Sequence, residues 1–262
     1  MRVSVSRIKT YKACKRLYEL KYIEGVEPLQ KSEALETGSN YHELLEHLNK
    51  TSTLRDIEND YSKELAMAIA YQKFIFPKFK VIEAEKWLEF PIDSEGNDKL
   101  VGIVDGIADD GYIVEHKSTG LDITEQYEYN LLWDEQILAY MLMTGHRKVW
   151  YTVCRKPTIK QKVNETDEMF FKRMVDWYDT DTDSKIRLLE IERTDEEVEK
   201  FYEELKAIVN DMNHTENYYR NVCHCNNWGR RCEYSGICLN YDPNQEYLEY
   251  VKGVKEYEPK AD

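Results

Sequence analysis

The sequence has no hydrophobic run that approaches the roughly 20 consecutive apolar residues of a membrane-spanning helix. Its first residues, Met1–Ser6, lead directly into a polar helical pattern and lack the apolar segment of a signal peptide. These two absences argue against a membrane-spanning helix and a signal peptide. They predict a cytoplasmic protein that has no membrane partner.

The chain also lacks an excess of positive charge: 36 Lys and Arg residues against 50 Asp and Glu residues give a net charge of −14. A protein that coats nucleic acid through charge alone is expected to be basic, so this class is excluded. Any contact with nucleic acid must therefore be local. One candidate is the segment 7–16, where five basic side chains interleave with Tyr11. A solvated helix face would explain the same pattern equally well.

The 262 residues are 42% hydrophobic, which is sufficient for a packed core. Hydrophobic periodicity predicts helices at about 6–22 (with Ser6 as N-cap), from about 37, and at about 61–79, 124–144, 165–178 and 195–213. Alternating or β-branched segments predict strands at about 81–92, 100–108, 112–117, 149–154 and 186–192. This order is typical of an α/β or mixed α+β domain. The segment from Leu239 onward has no clear period and is expected to be an arm or partly disordered.

Two of the predicted strands, 101–107 and 112–117, are joined by Asp109-Asp110-Gly111. A glycine at the end of a three-residue connection is typical of a β-hairpin. In that register residue 108 faces residue 112, so Asp105 lies opposite Glu115 with their Cβ atoms about 4.5–5.5 Å apart.

Side chains alternate along a strand, so Glu115 and Lys117 share one face of the hairpin while His116 projects from the other. Two carboxylates and an ammonium group are costly to bury together unless a cation or a substrate phosphate compensates. A surface hairpin with incidental charges is the weaker alternative. The pattern therefore predicts a site for a divalent cation.

These segments resemble a known nuclease family. Gly102–Gly106 and Glu115–Lys117 are similar to motifs two and three of RecB-like PD-(D/E)XK nucleases. Gly38–Glu46 resembles their first motif, a helix that offers a histidine ligand, and Gln136–Tyr140 resembles their Gln-x-x-x-Tyr motif. A single histidine, or a Gln and Tyr four residues apart on a helix, is ordinary by itself. The order of all four motifs carries the resemblance, which runs from about Cys14 to Cys238.

The resemblance implies a restriction-endonuclease-like fold, in which helices flank a central mixed sheet, as one nuclease domain over residues 1–262. It implies that Mg²⁺ or Mn²⁺ is held by His42, Asp105, Glu115 and the backbone carbonyl of His116. Lys117 would orient the attacking water or stabilise the phosphate, while Gln136 and Tyr140 would position the DNA strand or support the site. For Glu83 and Glu85, a further carboxylate at the site and a solvated strand edge remain equally good interpretations. Four cations are also candidates for the path of the strand: Arg155, Lys156, Lys160 and Lys162.

The chain has six cysteines and no export signal, which favours metal ligation over disulfides. Cys154 lies within a predicted strand and is expected to be a buried core residue. Relatives of the AddB and CRISPR-adaptation type bind a 4Fe-4S cluster through one N-terminal and three C-terminal cysteines. By this resemblance the ligands are Cys14, Cys225, Cys232 and Cys238.

The cluster-binding region would comprise residues 1–25 and 215–240, where the metal would have a structural role. Cys223 is an alternative to Cys225, and His224 adds a second ambiguity. The residues alone also suit Zn(II), because four thiolates form a closed zinc site as well.

The resemblance implies a nuclease that acts on single-stranded DNA or DNA ends in recombination, repair or CRISPR spacer processing. A helicase, a recombination protein or a CRISPR-adaptation protein would then direct it to its substrate. The alternative is a noncatalytic iron-sulfur scaffold or DNA-binding subunit of a larger complex. A zinc-ribbon-like interaction protein would explain the cysteines but not the charged hairpin.

Overall fold

A computed structural model describes residues 1–27, 33–55, 60–227 and 230–239. The helices are α1 (Val5–Ala13), α2 (Lys15–Tyr18), α3 (Glu33–Thr51), α4 (Lys63–Phe74), α5 (Glu125–Asn130), α6 (Glu135–Thr144), α7 (Asp167–Trp177), α8 (Asp195–His214), α9 (Val222–Cys225) and α10 (Ser235–Leu239). The strands are β1 (Arg2–Val3), β2 (Val81–Pro91), β3 (Lys99–Ala108), β4 (Ile113–Thr119), β5 (Lys148–Arg155), β6 (Ile186–Glu192), β7 (Asn226–Asn227) and β8 (Arg230–Arg231). Apart from Leu239, the predicted arm lies outside the described residues. Residues 228–229 and 240 of the predicted cluster region also lie outside them.

The chain divides into two compact units. The terminal unit consists of the described residues within Met1–Ser32, Glu89–Gly102 and Glu199–Asp262. The central unit consists of those within Glu33–Leu88 and Ile103–Val198. Among the described residues, none of the helices has both the length and the apolar character needed to cross a bilayer.

A mixed β-sheet forms the framework of the central unit. Strand β2 pairs with β3, and β3 pairs antiparallel with β4. Strand β4 runs parallel to β5, and β5 runs antiparallel to β6. The predicted mixed sheet flanked by helices is therefore confirmed. In the terminal unit, the short strand β1 pairs in parallel with Lys99 and Leu100 at the start of β3.

Alternation along the central strands gives each face of this sheet its own apolar cluster. Ile113 and Val153 pack with Ile137 and Met141 of α6. Residues of α3 and α4 form a second cluster that includes Cys154. Cys154 is 1% exposed, which confirms the prediction of a buried core cysteine.

Each of two predicted helices is interrupted by one residue with an extended backbone. The helix predicted at 6–22 breaks at Cys14, whose φ of −164° and ψ of 115° separate α1 from α2. Its N-cap is Ser4 rather than Ser6, because the Ser4 hydroxyl accepts a hydrogen bond from the Arg7 amide. The helix predicted at 124–144 breaks at Asp134, whose carboxylate accepts a hydrogen bond from the Gln136 amide and caps α6. Apolar periodicity continues across both breaks, so it predicted each pair of helices as one.

The close approach of β2 to β3 requires a glycine at position 106. A Cβ atom there would lie 2.7 Å from Val81 Cγ1 and 3.1 Å from the Glu83 carbonyl oxygen. We expect Gly106→Ala to destabilise the protein by about 1–3 kcal/mol, as overpacking of a tight site does. Thermal unfolding measures this. Gly120→Ala is the control, since nothing lies within 4 Å of its added methyl group. Equal melting temperatures for the two variants would contradict the prediction.

Candidate functional site

The predicted hairpin of β3 and β4 is confirmed, and its register is the expected one. Gly106 pairs with Val114 and Ile107 with Ile113. The Ala108 amide donates to the Tyr112 carbonyl at 2.8 Å, and Gly111 closes the turn with a φ of 84°. The pairing given by these residues ends there, and Asp105, the next residue of β3, accepts a hydrogen bond from the amide of His116, the residue after Glu115.

Asp105 accepts hydrogen bonds from two directions. Its Oδ2 accepts from the His116 amide at 2.6 Å, and its Oδ1 lies 3.2 Å from His42 Nδ1. Burial alone would raise the pKa of Asp105, but the nearby His42, His116 and Lys117 outweigh burial and lower it. Asp105 is therefore held as a carboxylate beside the histidine of α3.

A second acidic residue lies close to Asp105 and His42. Ligand atoms of His42, Glu85 and Asp105 all lie within 4.8 Å of one another. Glu85 has a φ of 52° within β2, a left-handed conformation that is uncommon for a residue other than glycine. By contrast, Glu83 forms an ion pair with Lys86 at 2.8 Å. The structure thus brings Glu85, but not Glu83, together with the candidate ligands.

Glu115 is almost completely buried, with 1% of its surface exposed. One carboxylate oxygen, Oε1, pairs with Lys117 Nζ. The other, Oε2, has no hydrogen-bond partner among the described residues. Burial raises the pKa of Glu115 despite the opposing charge of Lys117. An unsatisfied buried carboxylate oxygen is costly, so the site is incomplete as a purely protein structure.

Lys117 is fixed by a chain of hydrogen bonds that includes the Gln-x-x-x-Tyr pair of α6. Its Nζ donates to Gln136 Oε1 at 3.0 Å, and Gln136 Nε2 donates to the Tyr140 hydroxyl at 2.8 Å. Tyr140 then donates to the Ile103 carbonyl of β3 at 2.6 Å. Burial lowers the pKa of Lys117, but Glu115 and Asp105 raise it by more, so the side chain stays positively charged.

His116 projects from the opposite face, as the alternation of the strand predicts. Its Nδ1 lies 2.7 Å from Thr152 Oγ1, and its ring packs edge-on against Tyr71 at 5.1 Å between centroids. Burial lowers its pKa to about 4, so the imidazole is neutral. The predicted role of His116 as a metal ligand concerns its carbonyl oxygen and stays a prediction.

The predicted cationic path is partly engaged in other contacts. Arg155 forms an ion pair with Asp122, and its guanidinium lies 5.5 Å from the centre of the Trp177 ring. These contacts give Arg155 a structural role beside β5.

In the terminal unit, the four cysteines predicted as ligands lie near one another. Burial and the neighbouring thiols of Cys225, Cys14 and Cys238 raise the pKa of Cys232. The Cys232 amide donates to the Cys225 carbonyl at 3.0 Å. No three of these sulfur atoms, all within the described residues, come within 4.8 Å of one another. Cys223 is exposed.

Comparison with protein families identifies the superfamily of the chain. The model of the PD-(D/E)XK nuclease superfamily matches residues 2–239, and the chain belongs to that superfamily. No curated protein matches the chain.

The solved structures that are similar to the chain include two exonucleases. One is an alkaline exonuclease from Laribacter hongkongensis, with 16% identity, a TM-score of 0.37, and coverage of 81% of this chain and 88% of that one. The other is a phage-related exonuclease from Haemophilus somnus 129PT, with 14% identity, a TM-score of 0.35, and coverage of 72% and 88%.

Sequence reasoning left Glu85 undecided, and metal binding tests its place in the site. We expect Glu85→Ala and His42→Ala to weaken Mn²⁺ binding by at least about tenfold, since even the outer partners of metal ligands contribute 10–100-fold. Isothermal titration calorimetry measures the affinity. Glu83→Ala, two residues along the same strand, is the matched control and should bind as the wild type does. Equal weakening by Glu83→Ala and Glu85→Ala would refute a specific role for Glu85.

Proposed function

We propose that this chain is a Mg²⁺- or Mn²⁺-dependent deoxyribonuclease that hydrolyses phosphodiester bonds. The observation that carries the proposal is the convergence of His42, Glu85 and Asp105 beside the buried pair Glu115–Lys117. Carboxylate oxygens are the ligands that hard divalent cations prefer, and histidine suits Mn²⁺ as well.

The residues present fit such a cation. His42, Glu85 and Asp105 would hold it, with the unpartnered oxygen of Glu115 and the carbonyl of His116 as further donors. When bound, the ion supplies a water of lowered pKa and neutralises charge on the scissile phosphate.

Lys117 supplies a fixed positive charge next to these ligands. Because Glu115 and Gln136 hold its ammonium group, Lys117 can donate to the attacking water or to a phosphate oxygen without losing its orientation. Gln136 and Tyr140 act through Lys117, since their hydrogen bonds connect it to the backbone of β3. This arrangement favours support of the site over direct positioning of DNA.

The proposed substrate is DNA with a free end, attacked as a single strand. The four motifs that resemble RecB-like nucleases support this class, and they favour exonucleolytic cleavage in recombination, repair or CRISPR spacer processing. A helicase, recombination protein or CRISPR-adaptation protein would supply the targeting. The noncatalytic scaffold is disfavoured, because a scaffold would not require a buried carboxylate oxygen without a partner.

The proposal extends to a structural 4Fe-4S cluster on Cys14, Cys225, Cys232 and Cys238. Burial and the neighbouring thiols of Cys14 and Cys225 raise the pKa values of Cys232 and Cys238, so the four side chains lie close together. Four thiolates suit either zinc or an iron-sulfur cluster. The choice of 4Fe-4S rests on the resemblance to the AddB and CRISPR-adaptation relatives.

Removal of the fixed charges tests the nuclease. We expect Lys117→Met and Glu115→Gln to lower the rate of cleavage of labelled single-stranded DNA by about 100-fold or more, the usual cost of losing one preorganised group. Lys148→Met, on the neighbouring strand β5, is the control for loss of a lysine and should cleave normally. Circular dichroism checks that each variant is folded. Full activity in folded Lys117→Met would disprove the proposed site.

Substitution of single cysteines tests the cluster. We expect Cys232→Ser to lower the melting temperature and the content of iron and acid-labile sulfide, because a structural cluster contributes to folding. Cys223→Ser, in the same segment, should leave both unchanged. Anaerobically purified wild-type protein that is colourless and contains stoichiometric zinc would overturn the iron-sulfur assignment. A Cys232→Ser variant as heat-resistant as the wild type would refute a structural role.

A further inference from the structure

The terminal unit contains a cleft of about 780 Å³ that includes none of the residues of the proposed cleavage site, although the proposed cluster ligand Cys14 lies in its wall. Its walls come from the junction of α1 and α2, from α8 and from the segment 219–222. Six of its lining residues are charged or aromatic: Tyr11, Lys12, Lys15, Asp211, Tyr219 and Arg220. The volume lies within the range of about 300–1,000 Å³ that is typical of small-molecule sites.

The lining is cationic although the protein as a whole carries a net charge of −14. Lys12, Lys15 and Arg220 face a single acidic residue, Asp211. Lys15 Nζ pairs with Asp211 Oδ2 at 2.8 Å, which neutralises one positive charge. Arg220 is exposed and forms no ion pair with any described residue. The cleft therefore has positive charge available for an anion.

An aromatic ring lies beside these cations. Tyr219 is 61% exposed, although its own carbonyl accepts a hydrogen bond from the Arg16 amide at 3.2 Å. Lys15 Nζ lies 5.6 Å from the centre of this ring. A large ring that is exposed on an anchored backbone offers a surface for stacking.

The base of the cleft is held together by polar contacts. Asn221 Nδ2 donates to the Ala13 carbonyl at 2.8 Å, and the Asn221 amide donates to Cys14 Sγ at 3.3 Å. The buried Tyr11 hydroxyl lies 2.6 Å both from Asp211 Oδ2 and from Thr215 Oγ1. These bonds join residues far apart in the sequence, so Tyr219 and Arg220 extend from a fixed base.

We propose that this cleft binds a nucleotide unit of single-stranded DNA, with its phosphate beside Arg220 and its base stacked on Tyr219. Cations that contact the backbone and aromatic rings that stack with bases are the two elements by which proteins bind single strands without sequence preference. The choice of DNA as the polymer rests on the proposed function. The subsite itself involves none of the residues placed in the cleavage site.

Fluorescence anisotropy with a labelled oligo(dT) probe, in buffer without added divalent cations, tests the subsite. We expect Tyr219→Ala to weaken binding about tenfold, and Tyr219→Phe to bind as the wild type does, because stacking requires only the ring. Arg220→Ala should weaken binding and reduce the slope of log affinity against log salt by roughly 0.7, the effect of one single-strand phosphate contact. Lys200→Ala, an exposed lysine of α8, is the matched control and should bind normally.

A Tyr219→Ala/Arg220→Ala double variant with the affinity and salt slope of the wild type would overturn the proposal. The proposal would also be overturned if Tyr219→Ala lost binding only because it was thermally less stable than the wild type, while Arg220→Ala bound normally. The nuclease proposal fails separately. If wild-type protein binds oligo(dT) through Tyr219 and Arg220 but cleaves no DNA with Mg²⁺ or Mn²⁺, the subsite stands and the nuclease assignment falls. If the wild type cleaves DNA but the cleft variants bind oligo(dT) normally, the nuclease assignment stands and the subsite falls.

Discussion

The burial of like charges beside one lysine is the constraint on which the site depends. Asp105 accepts a hydrogen bond from the His116 amide next to Glu115, and Glu115 is 1% exposed with one oxygen unsatisfied by the described residues. Lys117 offsets only part of this negative charge. Such an arrangement is expensive in the protein alone and becomes favourable when a cation shares the carboxylates.

Several elements of the central unit position side chains around these buried charges. The α3 helix brings His42 to Asp105, and Glu85, with its left-handed backbone within β2, adds a further carboxylate. On the other side, α6 fixes Lys117 through the Gln136–Tyr140 pair. The four-residue spacing of that pair places both side chains on one face of α6, so that their hydrogen bonds continue to the backbone of β3. The motifs are therefore parts of one hydrogen-bonded and charged network.

The sequence predicted the parts of the site that depend on strand alternation and turn chemistry. Gly111 and the strand pattern were sufficient for the hairpin, its register and the common face of Glu115 and Lys117. The sequence did not distinguish Glu85 from Glu83, because a period of two places both on one face. The left-handed backbone at Glu85, which depends on tertiary context, separates them. The breaks at Cys14 and Asp134 were missed for a related reason: apolar periodicity does not register one extended residue between two helices.

Anomalous diffraction from crystals soaked in Mn²⁺ shows whether these side chains share one cation. We expect a manganese peak coordinated by His42, Glu85 and Asp105, with a Glu115 oxygen at or next to the first coordination sphere. Crystals in which Asp105 and Glu115 point to separate regions, or in which manganese binds only elsewhere, would contradict this expectation.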